Sequence, residues 1–255
     1  WPEVMMVYDE KSKALFSSDA FGCFGALSGN IFADELNYEC EWYPESRRYY
    51  ANIVGKFGLQ VLNILKKLAD LDIELICSLH GPIYRRKEDI LACVKKYQTW
   101  GSYSPEDDEV VIFSGSVYGH TEEFSTLLAT LVAQRGIRNT KVLDISSIDV
   151  SYLLSEAFRA KVLVFASSSY NGGLFTPMEN FLMDLVAHNF QNRDVFVVEN
   201  GSWALTAGKS MREIIGQLKK VNIAEETISI KSLLTEDQYA DAVAMADKIV
   251  ECLKK

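Results

Sequence analysis

The sequence predicts an α/β protein whose larger, C-terminal part is a doubly wound sheet of five parallel strands. Two observations lead to this fold class. From about residue 108 onward, short apolar segments alternate five times with segments whose apolar residues recur at i, i+3 and i+4. The apolar segments are nearly continuous runs of Val, Ile and Phe, which is typical of parallel strands covered by helices on both faces.

The individual elements of this part follow from these two patterns. Strands are predicted over 110–115, 140–146, 161–167, 193–200 and 227–232. Helices are predicted over about 120–135, 149–159, 177–189, 208–221 and 236–253. Because open parallel sheets bind ligands outside the carboxyl ends of their strands, the loops after the first, third and fourth strands are the candidate binding region.

The first part of the chain, up to about residue 100, has few predicted strands and helices. This small number indicates an incomplete αβ unit. The predicted elements are a hairpin over 5–18, helices over 46–69 and 86–97, and a buried strand over 71–79 that ends at His80-Gly81-Pro82. Residues 99–109 contain Gly, Ser, Pro and four consecutive acids. We therefore expect an exposed joint between the two parts at that position.

Composition and charge exclude several classes of protein. With 255 residues, 48% apolar and 24% charged, the chain has a globular composition rather than a disordered or disulfide-stapled one. The net charge of −9 argues against nucleic acid and anionic membranes as partners, and no apolar run approaches the ~20 residues that span a bilayer. Five cysteines without a CxxC pair favour a reducing, cytoplasmic location. Because the chain begins at Trp1-Pro2, we expect a C-terminal portion of a longer protein or a gene product split from its N-terminal half.

The loop after the first predicted strand has the composition of an anion cradle. Its small and hydroxyl-bearing residues let the backbone wrap an anion, and the start of the following helix offers free N–H groups. The loop holds no Lys or Arg, which favours a tightly bound phosphate monoester over a nucleotide triphosphate with its metal. An ordinary turn with a helix N-cap is the alternative interpretation. The candidate residues are Ser116, Val117, Tyr118, Gly119, His120 and Thr121.

Two further loops combine small residues with one large aromatic residue at the same edge of the sheet. A planar cofactor can lie between such aromatic rings while backbone amides reach its polar rim. The candidate residues are Ser169, Tyr170, Asn171, Gly172, Gly173, Asn200, Gly201, Ser202 and Trp203. Two other nucleotide sites are unsupported, because Gly208-Lys209-Ser210 does not follow the first strand as a P-loop would, and no GxGxxG follows any strand.

Several segments resemble the flavodiiron proteins, also called A-type flavoproteins. The run from Ser116 to Thr121 resembles the phosphate loop of flavodoxins, hydroxyl–x–hydroxyl–Gly–x–hydroxyl, and departs from it at Tyr118. The segments YNGGLFTPMENFL and NGSW resemble the flavodoxin domain of this family, and WPEVMMVYD, LFSSDAFG and SLHGPIYR resemble the domain that precedes it. The resemblance implies that residues 1–100 are the C-terminal part of a metallo-β-lactamase-like diiron domain, and that residues 108–255 are a flavodoxin-like, FMN-binding domain.

Resemblance to this family also implies which groups the intact protein binds. FMN would occupy the three loops of the second part, with Tyr170 and Trp203 on either side of the isoalloxazine. Asp19 matches the carboxylate that bridges two irons, and His80 matches a terminal ligand of one iron. The family's other ligands lie upstream, in an HxExDH motif that this sequence does not contain. We therefore expect two iron ions in the intact protein and an incomplete diiron site in this chain alone.

The function that the resemblance implies is that of an oxidoreductase. Electrons would pass from a small donor protein such as rubredoxin through FMN to the diiron centre, where O2 is reduced to water or NO to N2O. A head-to-tail homodimer is implied as well. Two alternatives stay open: an FMN-binding electron-transfer module only, and a metallo-hydrolase of the β-lactamase superfamily with an added domain. No residue is assigned a catalytic role at this point.

Overall fold

The structure is a computed structural model that describes residues 5–254. It divides the chain into two compact units, of which the first ends at Ser104 and the second begins at Pro105. Residues 1–4, with which the segment WPEVMMVYD begins, lie outside the described residues. Within the described part of the chain, no helix is long and apolar enough to cross a lipid bilayer.

A three-stranded sheet organises the first unit. Its strands are β1 (Val7–Asp9), β2 (Ala14–Ser18) and β3 (Leu75–Ser78). The strands β1 and β2 form the predicted hairpin, and β2 lies parallel to β3. The strand predicted over 71–79 is therefore shorter than expected. Because β2 and β3 run in the same direction, the segments that follow them come out at the same edge of the sheet.

The described part of the first unit also contains three α-helices: α1 (Tyr43–Tyr49), α2 (Gly58–Leu68) and α3 (Lys87–Gly101). The single helix predicted over 46–69 is wrong in one respect, because wide and narrow helical turns over 50–57 separate α1 from α2. The helical path also begins earlier than predicted, at Tyr38. An aromatic cluster packs beneath the helices, with the ring centroids of Tyr97 4.6 Å from Phe21 and 5.5 Å from Trp100.

The break between α1 and α2 is held by a residue that is distant in the sequence. The buried hydroxyl of Tyr103 donates to the carbonyl oxygen of Gly55 (2.7 Å) and accepts from the N–H of Gly58 (3.4 Å). Gly58 also lies so close to α3 that a Cβ there would come within 2.4 Å of the carbonyl oxygen of Gly101. A side chain at Gly58 is thus excluded by packing, and the interrupted helix follows from contacts that local periodicity does not encode.

The second unit alternates strands and helices, as predicted. Its strands are β4 (Asp107–Gly115), β5 (Lys141–Asp144), β6 (Ala160–Tyr170), β7 (Gly173–Leu174), β8 (Gln191–Asn200) and β9 (Lys219–Ile230). Its helices are α4 (His120–Gln134), α5 (Val150–Arg159), α6 (Thr176–Ala187), α7 (Ala207–Ile215) and α8 (Glu236–Lys254). The joint predicted over 99–109 is shorter than expected, because α3 ends at Gly101 and β4 begins at Asp107.

Five parallel strands form the sheet of this unit in the order β5–β4–β6–β8–β9, and the short β7 pairs antiparallel with β6. The predicted doubly wound, five-stranded parallel sheet is confirmed. Alternate residues of the central strands face opposite helix layers: Val110 and Ile112 pack in the core beside α4 and α8, whereas Phe113 stacks on Phe165 and contacts Phe181 of α6. The strand order reverses between β4 and β6, which is where open α/β sheets bind ligands.

Several boundaries in the second unit differ from the prediction: β6 continues to Tyr170 instead of ending at 167, the short β7 was not predicted, and β9 begins early. Residues 219–221, expected at the end of a helix, belong to β9, which starts well before the predicted residue 227. Pairing with β8 fixes this start, since Gln191 lies opposite Lys219. Arg212 of α7 then donates to three successive carbonyl oxygens over 224–226, where the register of β9 is irregular. Long-range pairing therefore decides the conformation of a segment that begins with the two charged residues Lys219 and Lys220.

Candidate functional site

The loop between β4 and α4 presents an uncovered helix N-terminus. The Ser116 side chain makes a hydrogen bond within the loop: its Oγ accepts from the N–H of Gly119 (3.0 Å). Gly119 is the N-cap of α4 and has a φ of +92°, a conformation that favours glycine. No side chain caps the first turn of α4, so its N–H groups keep free hydrogen-bonding capacity and the positive end of the helix dipole faces the loop.

In other helices of the same unit, protein side chains bind some of the N-terminal N–H groups, or a proline removes one of them. Asp149 caps α5 by accepting from the N–H of Ser151 (3.0 Å), and α6 carries Pro177 in its first turn, which has no N–H to offer. The start of α7 is held by Ser169 and Glu199, as described below. Because α6 also has no side-chain cap, it is from α5 and α7 that α4 differs in leaving its first turn open to an external anion.

The hydroxyl of Thr121 lies in the first turn of α4 and is almost completely buried, with 1% of the residue exposed. Its Oγ1 lies 3.0 Å from the Oγ of Ser168 near the end of β6, and either group can donate. His120, beside it, places its Nδ1 3.3 Å from a carboxylate oxygen of Glu123. The contact between Thr121 and Ser168 joins the start of α4 to the end of β6, from which the second candidate loop follows.

The second loop is a tight hairpin between β6 and β7. Asn171 and Gly172 both have positive φ values, +50° and +75°, and lie between the paired residues Tyr170 and Gly173. This is the geometry of a two-residue type I′ turn, for which Asn-Gly is a preferred sequence. The turn leaves Tyr170 45% exposed, and its ring makes an edge-on contact with that of Phe175 at 6.2 Å.

The third loop follows β8 and is anchored by the buried side chain of Asn200. Its amide donates to the carbonyl oxygen of Ser232 (3.1 Å) and accepts from the N–H of the same residue (3.0 Å). Gly201 has no room for a side chain, because a Cβ would lie 2.4 Å from the carbonyl oxygen of Ala204. The loop therefore turns tightly and leaves the Trp203 ring fully exposed.

These three loops surround an open cleft of about 290 Å³. Among the predicted residues it is lined by Ser116, Val117, Tyr118, His120, Thr121, Ser169, Tyr170, Asn171, Asn200, Gly201, Ser202 and Trp203. Gly119, Gly172 and Gly173 do not line it, although the first two shape its loops through their positive φ. The described lining residues include no Lys or Arg. Hydroxyls, a free helix N-terminus and exposed aromatic rings are a donor set that fits FMN, with its phosphate monoester and planar ring.

Two lining residues were missed by the sequence reasoning, Ser168 and Ser232. Ser168 belongs to the serine run after the third predicted strand, and its neighbours alone do not reveal that it faces Thr121. Ser232 follows β9, and the rule that ligands lie at the carboxyl ends of the strands could have included it. Ser232 reaches the cleft because its backbone is hydrogen-bonded to the Asn200 side chain, and this contact exists only in the folded chain.

Asp19 and His80 of the first unit are brought together, as their positions after β2 and β3 allow. The Nε2 of His80 lies 3.2 Å from Oδ1 of Asp19, with the His80 side chain about half exposed. The ring of Tyr49 lies 5.6 Å from that of His80. Burial raises the pKa of the Tyr49 hydroxyl, and the nearby Asp19 carboxylate raises it further.

This pair alone does not fit a diiron centre. Among the described residues, no group of three or more His, Cys, Asp or Glu side chains is arranged to hold a metal ion. One imidazole and one carboxylate are compatible with non-haem iron, but two irons need a larger ligand set. A complete centre therefore requires ligands beyond those that the described residues supply.

Fold and cleft together define a flavodoxin-like α/β protein with an open cleft at the carboxyl edge of its sheet. Comparison with solved structures places it more narrowly. Rubredoxin:oxygen oxidoreductase from Desulfovibrio gigas matches the whole chain with a TM-score of 0.91 and 26% identity, and 63% of that protein is covered. The flavodiiron protein of Giardia intestinalis shares the fold over the whole chain, with a TM-score of 0.90, 23% identity and 63% coverage.

Sequence comparison gives the same result. An uncharacterised protein of Methanocaldococcus jannaschii is 27% identical over 98% of this chain and 62% of its own length. The anaerobic nitric oxide reductase flavorubredoxin of Aeromonas hydrophila is 28% identical over 82% of this chain and 41% of its own length. No family model matches the chain. The predicted resemblance to the C-terminal portion of the flavodiiron proteins is confirmed, and the chain spans about 40–60% of the length of these curated relatives.

Proposed function

We propose that the second unit binds FMN in the open cleft, and that the chain is the electron-transferring portion of a flavodiiron-type oxidoreductase. One observation carries the proposal: an uncapped helix N-terminus, a set of hydroxyl groups and the exposed aromatic rings of Tyr118, Tyr170 and Trp203 meet in a single cleft. An anion held without a basic side chain, next to a surface for a planar ring, matches the chemistry of a flavin mononucleotide.

Each loop has a separate task in this proposal. Ser116 and Thr121 hold the phosphate with their hydroxyls, together with the first N–H groups of α4. Tyr170 and Trp203 lie against the isoalloxazine and shield it from water, and the backbone of the third loop faces its polar rim. FMN, when bound, accepts electrons singly or in pairs, which suits a link between a one-electron donor and a multi-electron reduction.

The activity of the whole protein is proposed from the relatives. The Desulfovibrio gigas protein is a rubredoxin:oxygen oxidoreductase and the Aeromonas hydrophila protein is a nitric oxide reductase. We accordingly propose reduction of O2 or NO at a diiron centre to which this chain contributes Asp19 and His80, with the remaining ligands supplied from outside the described residues. A small donor such as rubredoxin, a head-to-tail homodimer and a cytoplasmic location belong to the same proposal. Five free cysteines support a reducing compartment.

The competing function is that of an FMN-binding electron-transfer module without metal. A specific observation favours it: the described residues hold no cluster of three potential metal ligands. The metallo-hydrolase alternative has less support, because the cleft with exposed aromatic rings has no role in it. Flavin content separates the hydrolase from the other two functions, and iron content separates those two.

The deciding experiment measures FMN and iron per chain in the purified, folded protein. One FMN and about two irons per chain support the flavodiiron function with the remaining ligands supplied by a partner chain, whereas FMN without iron supports an electron-transfer module as the function of this chain. Asp19→Asn and His80→Ala should lower iron content. The matched control is the pair Asp184→Asn and His188→Ala, which removes a similar His–Asp contact (3.3 Å) in α6 and should leave iron unchanged. A protein that binds no FMN contradicts the proposal.

A further inference from the structure

We infer that Glu199 and Ser169 are positioning residues that fasten the start of α7 between the second and third cleft loops, and thereby preorganise the cofactor site. The inference rests on the proposed FMN site and goes beyond it. Glu199 is not among the described lining residues and acts through α7 and the loop that precedes it, whereas Ser169 lines the cleft and holds the same helix terminus as well.

Glu199 is a buried carboxylate at the carboxyl end of β8, with 8% of the residue exposed. Its Oε2 accepts from the N–H of Gly208 in the first turn of α7 (2.7 Å), and its Oε1 accepts from the Oγ of Ser229 on β9 (2.8 Å). A buried carboxylate needs such partners, and the N-terminus of a helix is a favourable place for its charge. Glu199 thus ties α7 to the two strands beneath the third loop.

Gly208 allows this contact because it has no side chain. A Cβ at Gly208 would lie 2.8 Å from the carboxyl carbon of Glu199 and 2.9 Å from Oε2. The sequence Gly208-Lys209-Ser210 suggested the end of a phosphate-binding loop, but the N–H of Gly208 is occupied by the protein's own carboxylate. The glycine therefore has an internal role that the sequence motif does not reveal.

Ser169 holds the same helix terminus from the other side. Its Oγ accepts from the N–H groups of Thr206 (3.0 Å) and Ala207 (3.2 Å). Thr206 returns a bond to the second loop, since its Oγ1 donates to the carbonyl oxygen of Gly173 (2.9 Å). Three successive N–H groups at the start of α7, those of 206–208, are consequently held by residues of the two neighbouring strands.

The residue whose position depends most on this arrangement is Trp203. Its ring is fully exposed, so side-chain packing does not fix it. The loop that carries it is fixed at one end by Asn200 and by the bond from the N–H of Gly201 to the carbonyl oxygen of Ile230 (3.1 Å). At the other end it is fixed by the capture of Thr206. Loosening either end would widen the range of Trp203 positions, and binding would then have to order the loop.

The test measures FMN affinity of the full chain by flavin fluorescence quenching, together with the visible circular dichroism of the bound flavin. Glu199→Ala and Ser169→Ala should each weaken FMN binding about tenfold, as expected for the loss of a helix cap that orders a binding loop. Glu199→Gln should bind nearly as well as the parent chain and keep its dichroism, because the amide oxygen still accepts from Gly208 and the NH2 group can donate to Ser229. The double Ala variant should lose less than the product of the two effects, since both residues hold one helix terminus.

Asp149→Ala is the matched control, because Asp149 caps α5 with the same carboxylate-to-amide chemistry and does not line the cleft. It should lower stability comparably and leave FMN affinity and dichroism unchanged. If the parent chain binds FMN and both Ala variants match it in affinity and dichroism, the inference is overturned while the proposed function stands. The same holds if Glu199→Gln is as weak as Glu199→Ala. If the parent chain binds no FMN, the proposed function fails and takes this inference with it.

Discussion

The Oγ1 of Thr121 lies 3.0 Å from the Oγ of Ser168, and this contact joins the first turn of α4 to the end of β6. The two residues are 47 positions apart: Thr121 lies in the helix that follows β4, and Ser168 lies in β6, the strand on the other side of the point where the order of the sheet reverses. The contact shows how the fold collects hydroxyl groups beside one open helix N-terminus. It also links the proposed phosphate subsite to the loop that carries Tyr170.

Removal of the hydroxyls at the start of α4 should weaken FMN binding strongly. In Ser116→Ala with Thr121→Ala, two hydrogen bonds to a charged phosphate are lost, each worth roughly 1.5 kcal/mol or more, so affinity should fall by roughly 100-fold. Equilibrium dialysis of FMN measures the loss. The control is Thr126→Ala with Thr130→Ala, two exposed threonines of the same helix. An affinity equal to that of the parent chain would contradict the assignment of the phosphate subsite.

FMN binding should require glycine at the N-cap of α4 because of its backbone conformation, and not because a side chain would lack room. A Cβ at Gly119 meets nothing within 4 Å, but its φ of +92° disfavours any other residue. Gly119→Ala should therefore cost about 1 kcal/mol and weaken FMN binding about fivefold. Gly29→Ala is a close control, since Gly29 has a φ of +96° and equally open surroundings in the first unit. Comparable FMN affinities in these two variants would show that the loop conformation is unimportant.

Loss of the Tyr103 hydroxyl should destabilise the first unit. Tyr103→Phe leaves the carbonyl of Gly55 and the N–H of Gly58 without this buried partner, so the free energy of unfolding should fall by about 1–3 kcal/mol. Urea unfolding followed by tryptophan fluorescence measures the change. Tyr8→Phe removes an exposed hydroxyl bond to the carbonyl of Asp72 and should change stability by no more than about 0.5 kcal/mol. Equal effects of the two substitutions would contradict the role of Tyr103.

The cysteines should differ sharply in their reaction with iodoacetamide at pH 8. Burial raises the pKa of the Cys23 thiol to about 11 and that of the Cys93 thiol to about 12. The thiolate is the reacting form, so both residues should stay unmodified at pH 8 and begin to react only as the pH approaches these values. Cys40 is exposed and should be alkylated first. Mass spectrometry of the digested protein identifies the modified residues, and early labelling of Cys93 would contradict the buried packing.

Much of the site could be predicted from the sequence because parallel strands deliver their following loops to one edge. The run from Ser116 to Thr121, the Tyr170 hairpin and the Trp203 loop each follow a strand that periodicity identifies, so their convergence required no knowledge of side-chain contacts. Asp19 and His80 meet for the same reason, at the ends of β2 and β3. The role of Ser169 in holding α7 could not be predicted, because the two N–H groups that donate to its Oγ lie 37 and 38 positions further along the chain.

The sequence by itself determined the alternation of strands and helices, the buried parallel sheet and the edge at which the candidate loops lie, since these depend on local apolar periodicity. The tertiary structure decided the break between α1 and α2, the early start of β9 and the choice of α4 as the open helix terminus. Each of these depends on a partner distant in the sequence: Tyr103 for the break, β8 for β9, and Glu199 with Ser169 for the closure of α7. The local apolar periodicity specifies which faces of a segment are buried in the core and which are exposed to solvent. Hydrogen bonds between distant segments specify which backbone groups remain free for a ligand.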